Sequence, residues 1–532
     1  MKFEVISIAS LDVEDPACSR FVLYAQQVRP VLEERSSELE AMYAPVLGRP
    51  ELSPVLMAGI TLMQMMEKEA DREAVNLCRY DLRWRHALGI TDDEIKINAS
   101  TLSQFRKRLA THDKARLVLD AALDAMRRAG YLRKKGAVRI DSTHVLGCLE
   151  NLSRLECVRE TLRLALDFLE EFGGQVFWEP WISHYVEGTN ELKRGKLEKP
   201  QLERRMLSTG TDVRDVLAQA DNLGSIVANA YPVALLRRVF DENFIITESS
   251  GLRQLEAQPS GSIHNPHEPE AQWSTKGSLS KEGWVGYKTQ ICETVPETRC
   301  EKGEPTTAVI TAAVTQLAIT SDHGSLLPVI AAHMDNGQDV PDTAHVDAGY
   351  ISGPELARAE KSGLDLCGPA PAPPHSGGSR FGTDTFIIDL QARLAVCPAE
   401  KISSACSKIT ESRDGRTYYY FEWAKSDCTA CPLREQCLSK KITQSRRSIQ
   451  VSEFHELTQA RRDLCKTQEY QTRMNRRSAI EGTNSELKRG YGLNRSRYRG
   501  HKRTDIQMQY TAAACNLRRW ANRLCWLARK NP

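Results

Sequence analysis

Two apolar runs that each end in an aspartate do most to restrict the fold open to this chain. Ala137 to Thr143 reads as a buried strand carrying Asp141 at its end, and Thr343 to Tyr350 repeats the pattern with Asp347, Gly349 being placed to turn the chain. Between them, Gly283 to Val295 and Thr306 to Gln316 read as two further strands and Ile319 to Met334 as a helix. A helix, Gly353 to Lys361, and a strand, Leu364 to Pro369, follow. Strands and helices in this alternation imply a mixed α/β sheet. A single strand-ending aspartate is most often a turn former or a cap. Two in this order, with a glutamate-bearing helix after them, call for a functional reading.

That glutamate is Glu481, inside the stretch Arg477 to Lys488. Each residue of an α-helix turns by about 100°. Arg477, Glu481 and Lys488 therefore fall within about 40° of one line, with Ile480 and Leu487 as a neighbouring apolar stripe and Gly490 to Gly492 as a stop. A carboxylate flanked by two cations suits a metal-binding acid beside a polyanion. Taken alone, the same residues describe a solvated helix with an ion pair.

Together these segments resemble the DDE-type insertion-sequence transposases, over most of the chain. Arg477, Glu481 and Lys488 match the arginine, glutamate and lysine of that family's third-acid signature, while Met474 stands where the family has tyrosine. Val346 to Tyr350 is similar to its second-acid motif and Arg139 to Thr143 to its first; Asn494 to Gly500 and Ala513 to Leu517 resemble its ending. The resemblance implies a ribonuclease H-like catalytic core in which Asp141, Asp347 and Glu481 meet at one end of the sheet. It also implies two divalent cations, Mg²⁺ with Mn²⁺ able to substitute, and a homodimer holding two inverted-repeat element ends and target DNA. Asp141 is expected to bridge both ions, which relieve the repulsion among three carboxylates. Arg477 and Lys488 are placed to hold phosphates. The activity implied is strand cleavage at element ends followed by transfer of the freed 3′-hydroxyl into target DNA. A metal-dependent nuclease that cuts without joining, and a non-catalytic DNA-binding descendant, are the alternatives; the presence of all three acids speaks against the second.

At 532 residues the chain exceeds a single core. The expected divisions are a helical N-terminal DNA-binding domain (1–130), a first core segment (131–150), a mainly helical insertion (151–265), a second core segment (266–375), a β-rich cysteine-containing insertion (376–450), and the Glu481 helix with a basic C-terminal region (451–532). The N-terminal unit, with helices expected from Ser53 and Pro54, from Asp71 and over Ser100 to Leu109, resembles the helical domain of InsH-type transposases; Arg106, Lys107 and Arg108 are its candidate DNA contacts. In the first insertion, Leu152 to Phe172 and Gln201 to Phe240 have helical periodicity, and His184 is assigned no role. Glu268 lies where relatives often have aspartate, and a surface turn is the expectation for it.

No run of 18 apolar residues exists and the start of the chain lacks the features of a signal peptide, so a cytoplasmic, nucleoid-associated protein without membrane contact is expected. The net charge of +3 is unevenly spread: Gln471 to Arg503 holds ten Lys and Arg against two Glu, with Tyr491 and Tyr498 among them. Such a segment suits phosphate binding with strong salt dependence, and Tyr498 and Arg499 join the candidate DNA contacts. Fifteen cysteines without an export signal point to reduced thiols, for which metal binding outranks disulfides. Cys428 and Cys431 form a Cys-x-x-Cys turn suited to one tetrahedral zinc. Resemblance to relatives adds Cys397 and Cys437 as partners, with Cys406 and His455 as substitutes; the competing reading is a set of buried structural thiols.

Overall fold

The computed structural model describes residues 19–43, 52–91, 97–173, 175–187, 198–247, 251–275, 283–297, 303–373, 381–412, 415–438 and 446–530. Its central sheet begins with β1 (Val138–Leu146), where Val138 and Ile140 face one core and Val145 another. A small hairpin, β2 (Phe244–Ile246) and β3 (Leu252–Gln254), follows within the first insertion. The sheet resumes with β4 (Gln272–Thr275), β5 (Gly283–Thr294), β6 (Ile310–Leu317), β7 (Thr343–His345) and β8 (Asp365–Cys367).

β5 lies antiparallel between β1 on one side and β4 then β6 on the other, whereas β7 runs parallel to β1 and β8 parallel to β7. The strand order β6-β5-β1-β7-β8 therefore joins an antiparallel meander to a parallel half, with β1 at the seam. Gly286 opposes Leu146 at the end of this pairing. A side chain there would stand 2.1 Å from the Val145 carbonyl oxygen, so the close approach admits glycine alone.

Helices Leu326–Asp335 and Gly353–Lys361 cover one face of the sheet, and the long helix His501–Lys530 covers the other. The helix expected from Ile319 starts only at Leu326, because Asp322 to Ser325 form a tight turn that heads it. The long helix also closes the edge of β6. Asn516 accepts from Ile310 N and donates to Ile310 O, each at 2.8 Å, Gln509 donates to Ala313 O at 2.8 Å, and Asp505 accepts from Thr315 N at 3.3 Å. An otherwise open strand edge is thereby satisfied by side chains and blocked to a further strand.

The N-terminal helices, among them Pro54–Glu67, Asp71–Tyr80, Ala99–Thr111 and Leu117–Arg128, pack around the same long helix in one continuous core. Proline at its first turn starts Pro54–Glu67, which is buried on nearly every side and is centred in that core. Ser53 precedes it without a side-chain capping bond, whereas Asn98 caps the helix Ala99–Thr111 by accepting from Thr101 N at 3.0 Å.

Between β1 and β4, helices Arg154–Gly173, Gln175–Ile182, Lys199–Asn222, Ser225–Ala228 and Tyr231–Asp241 share a second core around Val158, Leu166, Trp178, Val213 and Leu236. The stretch that reads as one helical region from Gln201 to Phe240 is thus three helices, broken at Leu223–Gly224 and at Asn229–Ala230. Between β8 and the Glu481 helix, β9 (Ile387–Asp389) pairs β10 (Leu394–Val396), and β11 (Ala405–Thr410), β12 (Thr417–Glu422) and β13 (Ser448–Ser452) form a separate sheet. Phe386, Phe421, Trp423 and Ile449 make its core.

Candidate active site

Asp141 is the fourth residue of β1, and Asp347 lies two residues beyond the end of β7. These strands pair Arg139 with His345; the same parallel register carried two residues further sets Asp141 beside Asp347. Asp347 accepts from Gly349 N at 2.8 Å and so caps the short turn Ala348–Tyr350. Burial pushes the Asp141 carboxyl up to about 6; the Arg477 guanidinium, 3.6 Å away, opposes this, and the charges of Asp347 and Asp322 reinforce it.

Asp322 is a third aspartate at this place, missed in the sequence because it falls inside the stretch read as a helix. Its Oδ1 accepts from Gln290 Nε2 at 3.0 Å and lies 3.3 Å from Lys288 Nζ. A Cβ on Gly349 would meet Asp347 Oδ1 at 3.0 Å and Asp322 Oδ2 at 3.4 Å, so the loop after β7 is pressed between the two carboxylates. Tyr350, fully buried beneath them, donates its hydroxyl to Gln290.

Glu481 is the second residue of the helix Ile480–Tyr491. Arg477 precedes that helix, in the tighter turn Asn475–Ala479, so the three charged residues do not share one unbroken α-helix. Arg477 still spans both acids, lying 3.7 Å from Glu481 and 3.6 Å from Asp141. The Glu481 side chain is 70% exposed and that of Asp141 only 14%. Asn484, one turn after Glu481, donates Nδ2 to Asp141 Oδ2 at 3.1 Å, while its own Oδ1 is buried without a hydrogen-bond partner.

A buried ionic hub fixes this helix against the sheet. Glu293 of β5, fully buried, accepts from Arg139 Nε at 2.6 Å, from Thr483 Oγ1 at 2.7 Å and from Arg519 Nη1 at 3.0 Å. Arg519 also donates to Thr483 Oγ1 and Glu486 Oε2, both at 2.7 Å. The strand bearing Asp141, the helix bearing Glu481 and the long C-terminal helix thus meet on one carboxylate. Ile480, Leu487 and Tyr491 are buried with Thr483 along one face of this helix, and Gly492, left-handed at φ +72°, ends it.

Carboxylate oxygens and the orphan Asn484 carbonyl make an all-oxygen donor set, the chemistry that suits a hard divalent cation. Among the described residues no three His, Cys, Asp or Glu side chains are already disposed as ligands of one ion. Glu481 in particular turns toward Arg477 and solvent.

The candidate DNA contacts separate into two groups. Lys107 and Arg499 are exposed, and Arg499 lines an open groove of about 790 Å³ together with Lys502, Arg503 and Arg238. Arg108 stacks on the Tyr43 ring at 4.3 Å, and Lys488 is half-buried. Arg106 and Tyr498 are corrections. Arg106 is buried, paired with Asp71 at 2.5 Å, hydrogen-bonded to Gln64 at 3.3 Å and stacked on Tyr498 at 4.8 Å, while the Tyr498 hydroxyl is itself buried. Both are joints between the N-terminal helices and the basic segment. Glu268 is a correction as well: it is buried, not on a surface turn, and accepts from Cys148 N, Leu149 N and Tyr287 Oη as the chain leaves β1.

Cys397, Cys428, Cys431 and Cys437 line one small cavity in the β-rich insertion, and none is in a disulfide. Burial raises the Cys437 thiol, Arg447 opposes that, and the other three sulfurs add to it. Cys406, on β11, and His455, at the start of helix His455–Leu464, are not among the residues lining the cavity.

Among the described residues, no helix is long and apolar enough to cross a membrane. Residues 396–521 match the family model for a transposase DDE domain, and residues 19–108 match that of a transposase domain known as DUF772. The first match takes in most of the cysteine-bearing insertion with all four of its cavity-lining cysteines, Glu481 and most of the long helix, but neither Asp141 nor Asp347. No curated protein and no solved structure matches the chain. A transposase DDE domain implies a ribonuclease H-like core, as the mixed sheet with its Asp-bearing parallel pair bears out in outline. These transposase matches, near both ends of one fold, support an insertion-sequence DDE transposase.

Proposed function

We propose that the protein cleaves DNA at the ends of its element and joins the freed 3′ ends to target DNA, using Asp141, Asp347 and Glu481 as the ligands of two Mg²⁺ ions. The observation that carries this reading is the junction of Asp141, Asn484, Arg477 and Glu481 across the β1–helix boundary, beside Asp347. When bound, the cations supply a nucleophile at neutral pH and stabilisation of the leaving 3′ oxygen. The protein's own residues do the positioning. Asp141 is fixed by Asn484 and by its strand, and Asp347 by the turn it caps. Arg477 lies between the Asp141 and Glu481 carboxylates, and with the acids occupied by cations its guanidinium would be available to a phosphate. Arg499, Lys502, Arg503 and Arg238 outnumber Glu268 and Glu270 in the lining of the open groove, whose cations suit the DNA backbone. Two element ends must be held together for joining, so a homodimer on DNA is the assembly proposed.

The test is incubation of the full chain with end-bearing DNA and a target plasmid in Mg²⁺. Cleaved and joined products support the reading, and cleavage without joining would leave a simple nuclease. Asp141→Asn, Asp347→Asn and Glu481→Gln should each abolish cleavage while retaining end binding; an acid whose replacement leaves the rate unchanged is not a ligand.

A further inference from the structure

The four-cysteine cavity lies outside the catalytic chemistry, and its construction points to a second kind of metal. We propose that Cys397, Cys428, Cys431 and Cys437 hold one structural zinc ion. The cavity they line, with Lys401, Trp423, Asp427, Arg434, Leu438 and Arg447 completing its wall, has a volume of about 30 Å³. That is room for an ion or a water and too little for an organic ligand.

Both approaches to the cavity are tight turns. Cys397 N donates to Lys401 O at 2.9 Å and Glu400 N to Cys397 O at 2.8 Å, with Glu400 left-handed at φ +59°. The second turn, Cys428 to Cys431, leaves the short helix Lys425–Thr429, and Cys431 O accepts from Arg434 N at 3.2 Å. Cys437 closes the ring at the end of helix Arg434–Cys437. One sulfur thus comes from a hairpin turn, two from a Cys-x-x-Cys turn and one from a following helix, a set that four-coordinate zinc accepts.

The surroundings suit thiolates. Arg447 N donates to Cys428 Sγ at 3.4 Å, an outer-shell bond of the kind that orients a metal-bound sulfur. Four thiolates around a dication leave two negative charges, and two guanidinium groups stand by to balance them. Arg434 is bonded to Cys428 O and Arg447 to Cys437 O, each at 2.9 Å. The thiols now ring the cavity without converging on ligand positions. Zinc binding draws them together, releasing one proton from each thiol to solvent. A complete sulfur shell leaves no position for water, so the ion ties the β10 turn to the helical segment and performs no chemistry.

Full-length protein prepared without chelators and with zinc supplied should contain about one equivalent of zinc, released in step with mercurial titration of the thiols. Cys428→Ser and Cys437→Ser should each lose most of it. Cys406→Ser should keep it, as should Asp141→Asn, which separates this site from the catalytic one. In case the cysteine variants fail to fold, Co²⁺ exchanged into the native chain should give the intense thiolate-to-metal charge-transfer and visible bands of tetrahedral sulfur ligation. Less than about half an equivalent of zinc, zinc undiminished in a soluble Cys428→Ser protein, or an octahedral Co²⁺ spectrum would overturn the proposal. These outcomes are independent of whether the chain cuts or joins DNA.

Discussion

Asn484 reaches across from the helix that carries Glu481 and donates to the carboxylate of Asp141 at 3.1 Å. Two acids far apart in the sequence are thereby latched by a residue that is itself neutral. Asn484→Ala should slow Mg²⁺-dependent cleavage by roughly 10- to 100-fold, the usual cost of losing a residue that orients a metal ligand. It should also raise the Mg²⁺ concentration needed for half-maximal rate and leave end binding intact. A Mg²⁺ titration of cleavage beside a gel-shift assay checks this; an unchanged half-saturation point would make the bond incidental.

The Glu293 hub should behave as a set of coupled parts. Thr483→Val removes two of its hydrogen bonds, the one given to Glu293 and the one taken from Arg519, and should cost about 2 kcal/mol of stability. Glu293→Gln leaves Arg139 and Arg519 buried without their common partner and should cost roughly 3–5 kcal/mol. Urea unfolding of the three proteins measures both. Equal losses for the two variants would mean that the charge at Glu293 matters little.

Charge on the DNA face and charge in the interior should separate cleanly. Arg477→Ala and Lys488→Ala should each lower the slope of log affinity against log salt by about one if each neutralises one phosphate. Arg106→Ala should instead leave the slope unchanged and lower the melting temperature, since its guanidinium is spent on Asp71, Gln64 and Tyr498. Salt-dependent binding and thermal melts on the same preparations tell the two roles apart.

Asp120 provides a pH test of the N-terminal core. Burial raises its carboxyl to about 6 against the attraction of Arg116 and Arg35, and its Oδ1 lacks a hydrogen-bond partner. A carboxyl raised in the fold binds its proton more tightly there than in the unfolded chain. Its contribution to stability is therefore fully present below about pH 4 and is lost as pH rises through about 6. Asp120→Asn should stabilise the protein at pH 8 by up to about 2 kcal/mol and make little difference at pH 4. Melting curves across that range check the sign.

The strands around Asp141 and Asp347 were legible because a buried strand that stops at a carboxylate has a local signature. So was the helix Gly353–Lys361, with proline at its start and serine before it. Asp322 was not, since nothing local distinguishes a turn before Leu326 from the first turn of a helix. The inward turn of Arg106 was hidden for a different reason. A run of three basic residues on a helix reads as a solvent face until a partner from the far end of the sequence, here Tyr498, covers one of them. Asn484 carried no signal either, because its role exists only once the helix is laid against β1. The four cysteines around one cavity came from spacing for two and from family resemblance for the others.

The helix His501–Lys530 fills the centre of the N-terminal helical core and seals the edge of β6. A ribosome delivers it long after the helices that surround it. Until then those helices lack one of the two elements they pack around, and β6 presents an open edge to any neighbouring strand. An incomplete chain that ends before His501 should therefore be a substrate for proteases and chaperones, and it should not accumulate as a folded competitor of the full chain.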